Sequence, residues 1–273
     1  MITPRTMTSV ALYFAPERTP SIPVRWFEGA YQWLSRFDLS PILFTAAGGD
    51  FLLDDCYTLS TDSIVDNEGY VRLPRREQLL SSLKDGTITS LAMDAPRYVT
   101  GDRSDWQAMV DVSLIDGTLY FGVEERILSD LSALVYSAWH LAGDLLDICY
   151  GIGYKSLLVD YPNCYARGIS PAAFYDIQQL VQNRDEWPRN TETADELWRN
   201  ELVGTRRHLT GHFRGAYSVN VLSEHHLKKA RLQSHNIGIL SQLCASLWLW
   251  TLSNDEIPIA EELLKAADAV LGT

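Results

Sequence analysis

Residues 106–123 limit the possible folds more than any other part of the sequence. Apolar and polar residues alternate over 106–114, which is typical of a strand with one buried face. Asp116 and Gly117 follow, and this pair favours the two-residue turn of a β-hairpin. Residues 118–123 are then rich in β-forming side chains and predict the returning strand. The sequence therefore predicts an antiparallel strand pair on which other elements must pack.

Strand and helix patterns alternate on both sides of this hairpin. Before it, residues 8–14 and 41–46 predict strands, and residues 24–37 between them place apolar side chains at helical spacing. After it, an amphipathic helix is predicted over 126–142 and a strand over 148–154. The strand–helix–strand order thus occurs twice, which is compatible with two ferredoxin-like halves that share a sheet.

These elements predict the α+β class. We expect a mixed or antiparallel sheet, or two such sheets, with helices packed on one face. A chain of 273 residues is long enough for one large domain or two small ones. We predict a single domain over residues 1–273. The alternative is a division into 1–100 and 101–273, because residues 94–105 contain Pro, Gly and several charges.

The last third of the chain is predicted to be richer in helix. Helices are expected at residues 171–183 and 193–207. Strands are expected at 217–222 and 245–252, and Ser223 can cap a helix that follows the first of them. The buried side of a final amphipathic helix is expected to carry Ile259, Leu263, Leu264, Ala267 and Leu271.

The charge balance limits the classes of partner. The chain has 35 acidic and 23 basic residues, a formal net charge of -12 and an isoelectric point near 4.9. A phosphate backbone would repel such a chain, and no basic stripe reverses the charge locally, so nucleic-acid binding is disfavoured. A basic protein partner would be attracted by the same field. Solubility alone is the other explanation of the acidic composition.

Neither a membrane span nor a secretion signal is predicted. No stretch approaches the roughly 18 apolar residues that cross a bilayer, and residues 1–16 lack the layout of a signal peptide. The four cysteines are scattered, and none belongs to a CxxC pair, so reduced core thiols are expected. We expect a cytoplasmic protein.

Common catalytic motifs are absent from the sequence. There is no GxSxG elbow and no Ser-x-x-Lys, and Gly151 and Gly153 lack the third glycine of a dinucleotide fingerprint. Asp144 and Asp147 lie in an apolar stretch, where ending a helix explains them better than acid–base chemistry. We therefore predict neither an enzyme nor a bound cofactor.

A histidine-rich window leaves one enzymatic alternative open. His208 and His212 are four residues apart, which places two ligands on one face of a helix, and Glu224, His225 or His226 would supply the third. Gly211 disfavours a continuous helix there, and the Glu of the metalloprotease motif is missing. No metal site is predicted, and a metal-dependent enzyme is the runner-up hypothesis.

An acidic segment with interleaved aromatic residues is the candidate partner-binding region. Aromatic rings supply contact area, and carboxylates steer a basic protein towards them. The predicted partner-binding residues are Asp50, Asp54, Asp55, Asp62, Asp66 and Glu68.

The C-terminal part of the chain resembles a class of bacterial proteins. The resemblance is carried by residues 198–229 (WRNELVGTRRHLTGHFRGAYSVNVLSEHHLKK), the turn YPNCYARGI at 161–169 and the apolar LWLWTL strand. These segments resemble immunity-type proteins encoded beside type VI secretion and other polymorphic-toxin effectors. The resemblance implies a cytosolic protein that neutralises a toxin domain of its own cell. It includes no functional motif and assigns no site residue.

The leading hypothesis is therefore a non-enzymatic immunity or antitoxin-like protein that occludes a basic toxin or effector domain. A scaffold subunit of a bacterial defence complex is a third hypothesis beside the metal-dependent enzyme. A homodimer is compatible with all three. The sequence leaves the identity of the partner open.

Overall fold

The computed structural model describes residues 5–14, 21–52, 55–65, 69–96, 106–158, 162–167 and 211–271. Within these ranges the strands are β1 (Thr6–Phe14), β2 (Leu43–Ala47), β3 (Tyr57–Thr58), β4 (Ile64–Val65), β5 (Val71–Arg72), β6 (Ser90–Pro96), β7 (Trp106–Ser113), β8 (Thr118–Glu124), β9 (Ile148–Leu157), β10 (Val219–Ser223), β11 (Ile239–Gln242) and β12 (Leu247–Thr251). The helices are α1 (Val24–Ser35), α2 (Arg76–Lys84), α3 (Leu131–Ala142), α4 (Pro162–Ala166), α5 (Glu224–Lys229) and α6 (Glu256–Ala266), with a 3₁₀ turn at Leu232–Ser234.

Ten of the strands form one sheet, in the order β11-β12-β10-β9-β1-β8-β7-β6-β2-β3. Every neighbouring pair in it is antiparallel. β4 and β5 form a separate antiparallel hairpin. The predicted α+β class with an antiparallel sheet is confirmed. Strands from both sides of residue 100 belong to this sheet.

The first face of the sheet is covered by α1, α2 and α3. From β1 it receives Val10, Leu12 and Phe14. Helix α1 adds the five buried residues that its spacing predicts, namely Trp26, Phe27, Ala30, Trp33 and Leu34. Rings meet edge to face at the centre, where the Trp33 and Phe121 centroids are 5.2 Å apart. Hydrocarbon contact dominates this face.

The second face is covered by α4, α5 and α6, so helices lie on both faces rather than on one. Ala11 and Tyr13 of β1 belong to this second cluster, together with buried residues of the three helices. The physical reason lies in β1 itself, which is buried from Met7 to Phe14. A strand that is apolar on both sides needs cover on both sides.

Tyrosines and one arginine hold α4 against the second face. Arg214 Nη1 donates to the Tyr13 hydroxyl at 2.6 Å and to the backbone oxygens of Tyr165 and Ala166 at 3.0 and 3.2 Å. The Tyr13 hydroxyl in turn donates to Ala166 O at 3.0 Å. The Tyr154 hydroxyl donates to the backbone oxygen of Pro162 at 2.5 Å. These polar groups thus bond to each other and to the backbone of α4.

The strand order departs from two ferredoxin-like halves. β8, α3 and β9 form a split β–α–β unit, because β1 lies between the two parallel strands. β1, α1 and β2 do not repeat this unit, since β8, β7 and β6 separate β1 from β2. The repeat in the sequence pattern therefore does not become a repeat in the topology.

Several element boundaries differ from the pattern-based prediction. Helix α3 begins at Leu131 instead of residue 126, because Asp130 Oδ1 accepts hydrogen bonds from the backbone N–H groups of Ser132 and Ala133. In α6, Ala260 and Leu264 are buried, while Ile259 is exposed. Strand β11 was not predicted. The helices predicted at 171–183 and 193–207 lie outside the described residues.

Candidate protein-docking surface

Exposed apolar side chains are concentrated in and around the β4–β5 hairpin and in the segment before β3. Five large hydrophobic side chains are more than half exposed there: Leu52 (69%), Val65 (54%), Tyr70 (59%), Val71 (58%) and Leu73 (51%). We call these five residues the hairpin surface. They make up half of the ten exposed large hydrophobics among the described residues. A hairpin of two-residue strands that is separate from the main sheet cannot bury its own side chains, so they remain available for contact.

A cleft of about 320 Å³ opens between the hairpin and the edge of the main sheet. Its walls come from β3 and β5 and from the residues next to them. The lining residues are Asp55, Cys56, Tyr57, Tyr70, Val71, Arg72, Leu73 and Arg75. The cleft therefore combines aromatic, apolar and charged groups in one concave surface.

Arginines lie over aromatic rings in the cleft and next to it. The Arg75 guanidinium is 5.1 Å from the Tyr57 ring centroid and 5.8 Å from that of Phe51. Arg72 lies 5.5 Å from the Tyr70 ring centroid. Cation–π attraction orders these side chains before any partner arrives, which lowers the entropy lost on binding.

Tyr57 connects the cleft wall to the predicted acidic region. Its hydroxyl donates to Asp55 Oδ2 at 2.8 Å. Burial raises the pKa of the Tyr57 hydroxyl above its ordinary value of 10.0, the hydrogen bond to Asp55 and the charge of Asp55 raise it further, and Arg75 opposes the shift. The hydroxyl therefore remains a donor at neutral pH and holds the carboxylate at the cleft.

The base of the hairpin is tied to the edge of the main sheet. The backbone N–H of Thr58 in β3 donates to Leu73 O at 3.0 Å, and the Arg75 N–H donates to Thr58 O at 3.3 Å. The outer edge of β3 is thereby covered by the chain that returns from β5. The hairpin is consequently anchored on the sheet.

Three of the six predicted partner-binding carboxylates lie within the described residues, and one of them, Asp55, lines the cleft. Asp50, Asp55 and Asp62 are exposed, whereas Asp54, Asp66 and Glu68 lie outside the described residues. The sequence prediction missed the apolar component. Tyr70, Val71 and Leu73 form a run too short for a recognisable period, and only their isolation between polar segments marks them.

The histidine window contains a structural histidine. His226 is fully buried, and its Nδ1 lies 2.8 Å from the Ser223 hydroxyl in a capping box that confirms Ser223 as the helix cap. Its Nε2 lies 3.2 Å from His212 O, and its ring stacks on Tyr150 at 4.9 Å. Both ring nitrogens are thus engaged with protein atoms.

Two of the other proposed ligands in this window lie at the protein surface. His225 and Glu224 are exposed, and Glu224 pairs with Lys228 at 2.7 Å. Gly211 has a φ of 78°, which breaks the helix that two ligands four residues apart require. His208 lies outside the described residues. Within the described part of the chain, no three His, Cys, Asp or Glu side chains come close enough to share a metal ion.

The described residues thus form an α+β fold with exposed apolar side chains and a cleft at one sheet edge. No family model matches the chain, and no curated protein matches it. Among solved structures, it is similar to one described as "Pseudomonas aeruginosa T6SS protein PA0821". The two share 11% identity with a TM-score of 0.52 over 98% of this chain and 74% of that one. The likeness shows a common fold. None of the helices in the described ranges has the length and apolar character of a membrane span.

Proposed function

We propose that this chain is a non-enzymatic binding protein of the immunity type, which occludes a cognate toxin or effector domain in the cytoplasm. The observation that carries the proposal is the hairpin surface, a preformed apolar patch beside a cleft and exposed carboxylates. The structural neighbour is described as a type VI secretion protein, which supports a role beside a secreted effector.

The two kinds of side chain at this surface would have different roles in binding. Tyr70, Val71 and Leu73 would supply the buried centre of the interface, where truncating one hot-spot residue costs about 2 kcal/mol or more. Asp55 and Asp62 would lie at the rim and raise the association rate of a basic partner. The net charge of -12 adds a long-range attraction that salt would screen.

The proposal is tested by co-expression with the protein encoded by the neighbouring gene. We expect a complex whose association slows as salt rises, together with rescue of cell growth if that protein is toxic. Val71→Asp should abolish both binding and rescue. Ile115→Asp is the matched control, because Ile115 is 68% exposed in the turn after β7 and far from the hairpin in the strand order.

Charge and apolar contact can be separated at the same surface. Asp55→Lys should lower the association rate by about tenfold and weaken its salt dependence, with a smaller change in the dissociation rate. If Val71→Asp keeps both binding and rescue, the interface lies elsewhere on the protein. Absence of any complex with the neighbouring protein would refute the immunity role.

A further inference from the structure

The two edges of the ten-stranded sheet are protected to different degrees. β3 at one edge is covered by the backbone of Leu73 and Arg75. Among the described residues, β11 at the other edge pairs only with β12. An uncovered edge strand presents backbone donors and acceptors to any chain that can align with it.

The outward groups of β11 follow from its register. Leu243 N donates to Leu247 O at 2.9 Å, so residues 243 and 247 form a hydrogen-bonded pair. Hydrogen-bonded and non-hydrogen-bonded pairs alternate along an antiparallel ladder, so Ser241 and Leu249 form the next hydrogen-bonded pair. The N–H and C=O groups of Leu240 and Gln242 consequently point away from β12.

The start of β11 is held in place before any second chain arrives. Gly238 has a φ of 70°, and its N–H donates to Glu256 Oε1 at 2.9 Å. Trp250 Nε1 donates to Ile237 O at 2.9 Å. A Cβ at Gly238 would lie 2.5 Å from Thr251 O, so only glycine fits this close approach. The edge is therefore preformed.

The sequence around β11 lacks the usual protection of an edge strand. Residues 236–254 contain no charged residue and no proline. Natural edges are commonly blunted by lysine, proline or an inward-pointing charge. Ile239 is 72% exposed, more than any other large hydrophobic in the described ranges. This edge is therefore suited to pairing with a strand of another chain.

We propose that β11 is a homodimer interface, in which it pairs antiparallel with β11 of a second copy around a two-fold axis at Ser241. Leu240 would then face Gln242 of the partner subunit, which forms four backbone hydrogen bonds over the two symmetric pairs. Ile239 would meet Leu243 of the partner subunit. Two chains of net charge -12 repel each other, and an uncharged edge opposes their approach least.

Mass as a function of concentration tests the dimer. Because the interface is small, we expect light scattering and sedimentation to show a monomer of 30.8 kDa at low concentration and twice that mass by about 100 µM. Ile239→Lys should remain monomeric. Gln242→Pro should as well, since it removes an outward N–H without touching the β12 ladder. Ile115→Lys, an equally drastic change at another exposed site, should dimerise like the unmodified chain.

Cysteine cross-linking tests the register independently. A cysteine at the axis, Ser241→Cys, should form an intermolecular disulfide, because facing residues of a non-hydrogen-bonded pair lie within disulfide range. Gln242→Cys is the matched control, since the two copies of residue 242 are offset along the strands and too far apart. Circular dichroism spectra like that of the unmodified chain would confirm that the variants fold.

Three results would overturn the homodimer. One is a monomer at every concentration, and another is a dimer that both edge variants leave intact. The third is an edge that binds the neighbouring gene's protein, with that binding lost in Ile239→Lys while the chain alone stays monomeric. Each result is independent of whether Val71→Asp affects the proposed toxin binding.

Discussion

The two faces of the sheet are built by different kinds of interaction. On the first face, buried helices meet the sheet through hydrocarbon and aromatic contact, with Trp33 and Phe121 near the centre. On the second face, Arg214 bonds to Tyr13, 201 residues away, and to the backbone of α4. Hydrophobic contact has no preferred direction, whereas each hydrogen bond of the second face requires particular partners. The faces should therefore respond differently to substitution and to pH.

The largest effect is expected at the centre of the first face. Trp33 is 1% exposed, packs on Phe37 and Phe121, and donates from Nε1 to Ser137 Oγ at 2.7 Å. Trp33→Ala should lower the free energy of unfolding by about 4 kcal/mol, through lost contact and a cavity. Urea denaturation would measure it, with Ile115→Ala as an exposed control that changes stability by less than about 0.5 kcal/mol. An equally small change at Trp33 would contradict a packed first face.

Alkaline pH should act most strongly on the second face. Burial raises the pKa of the Tyr150 and Tyr154 hydroxyls well above the ordinary value of 10.0. Above pH 10 the unfolded chain loses these protons while the folded chain keeps them, so stability falls as pH rises. Each such tyrosine should contribute a slope of about 1.4 kcal/mol per pH unit.

Unfolding curves between pH 9 and 11.5 would measure this slope. Tyr150→Phe removes one titrating hydroxyl and should reduce the slope by the contribution of one proton. Phe121→Leu, on the first face, should lower stability and leave the slope unchanged. Equal slopes in Tyr150→Phe and the unmodified chain would contradict the idea that the second face determines the response to alkaline pH.

Arg214→Met should cost about 2 kcal/mol, because the Tyr165 and Ala166 backbone oxygens lose a charged donor. A double-mutant cycle with Tyr13→Phe should give a coupling of about 1 kcal/mol. A residue of the first face provides the control cycle. Trp33 and Tyr13 share no partner, so the effects of Trp33→Phe and Tyr13→Phe on the free energy of unfolding should be additive. A coupling near zero between positions 13 and 214 would mean that the hydrogen bond between Arg214 and Tyr13 does not stabilise the fold.

The smallest effect is expected from the one fully buried hydroxyl that β1 directs to the first face. Thr8 is 0% exposed, and its Oγ1 has no hydrogen-bond partner among the described residues. Thr8→Val keeps the shape and removes the uncompensated polar atom, so it should stabilise the fold by about 1 kcal/mol. Thermal unfolding would show a higher midpoint, and a lower one would mean that the hydroxyl is solvated.

The sequence anticipated the elements whose signals are local. The apolar spacing of α1 predicted its five buried residues. Asp116 and Gly117 marked the β7–β8 connection, but the predicted two-residue turn is wrong, because Ser113 pairs with Thr118 and the Gly117 N–H donates to Leu114 O, so the loop spans 114–117. The position of β1 between β8 and β9 could not be predicted, because pairing partners leave no periodic trace. Strand β11 was missed because only four uncharged residues carry it. The acidic docking region named from the sequence stays a prediction, and the sequence did not point to the exposed apolar side chains of the hairpin surface.

The central place of β1 has a consequence for the time course of synthesis. Met7 pairs with Glu124 and Thr6 with Leu157, so this strand is made more than 100 residues before its neighbours. At about 5–20 residues per second, it waits roughly 5 to 20 s for β8. During that interval the strand is apolar on both sides and has no sheet to join. Chaperone contact with nascent chains should therefore be strongest before β8 emerges from the ribosome and fall once β9 has followed it.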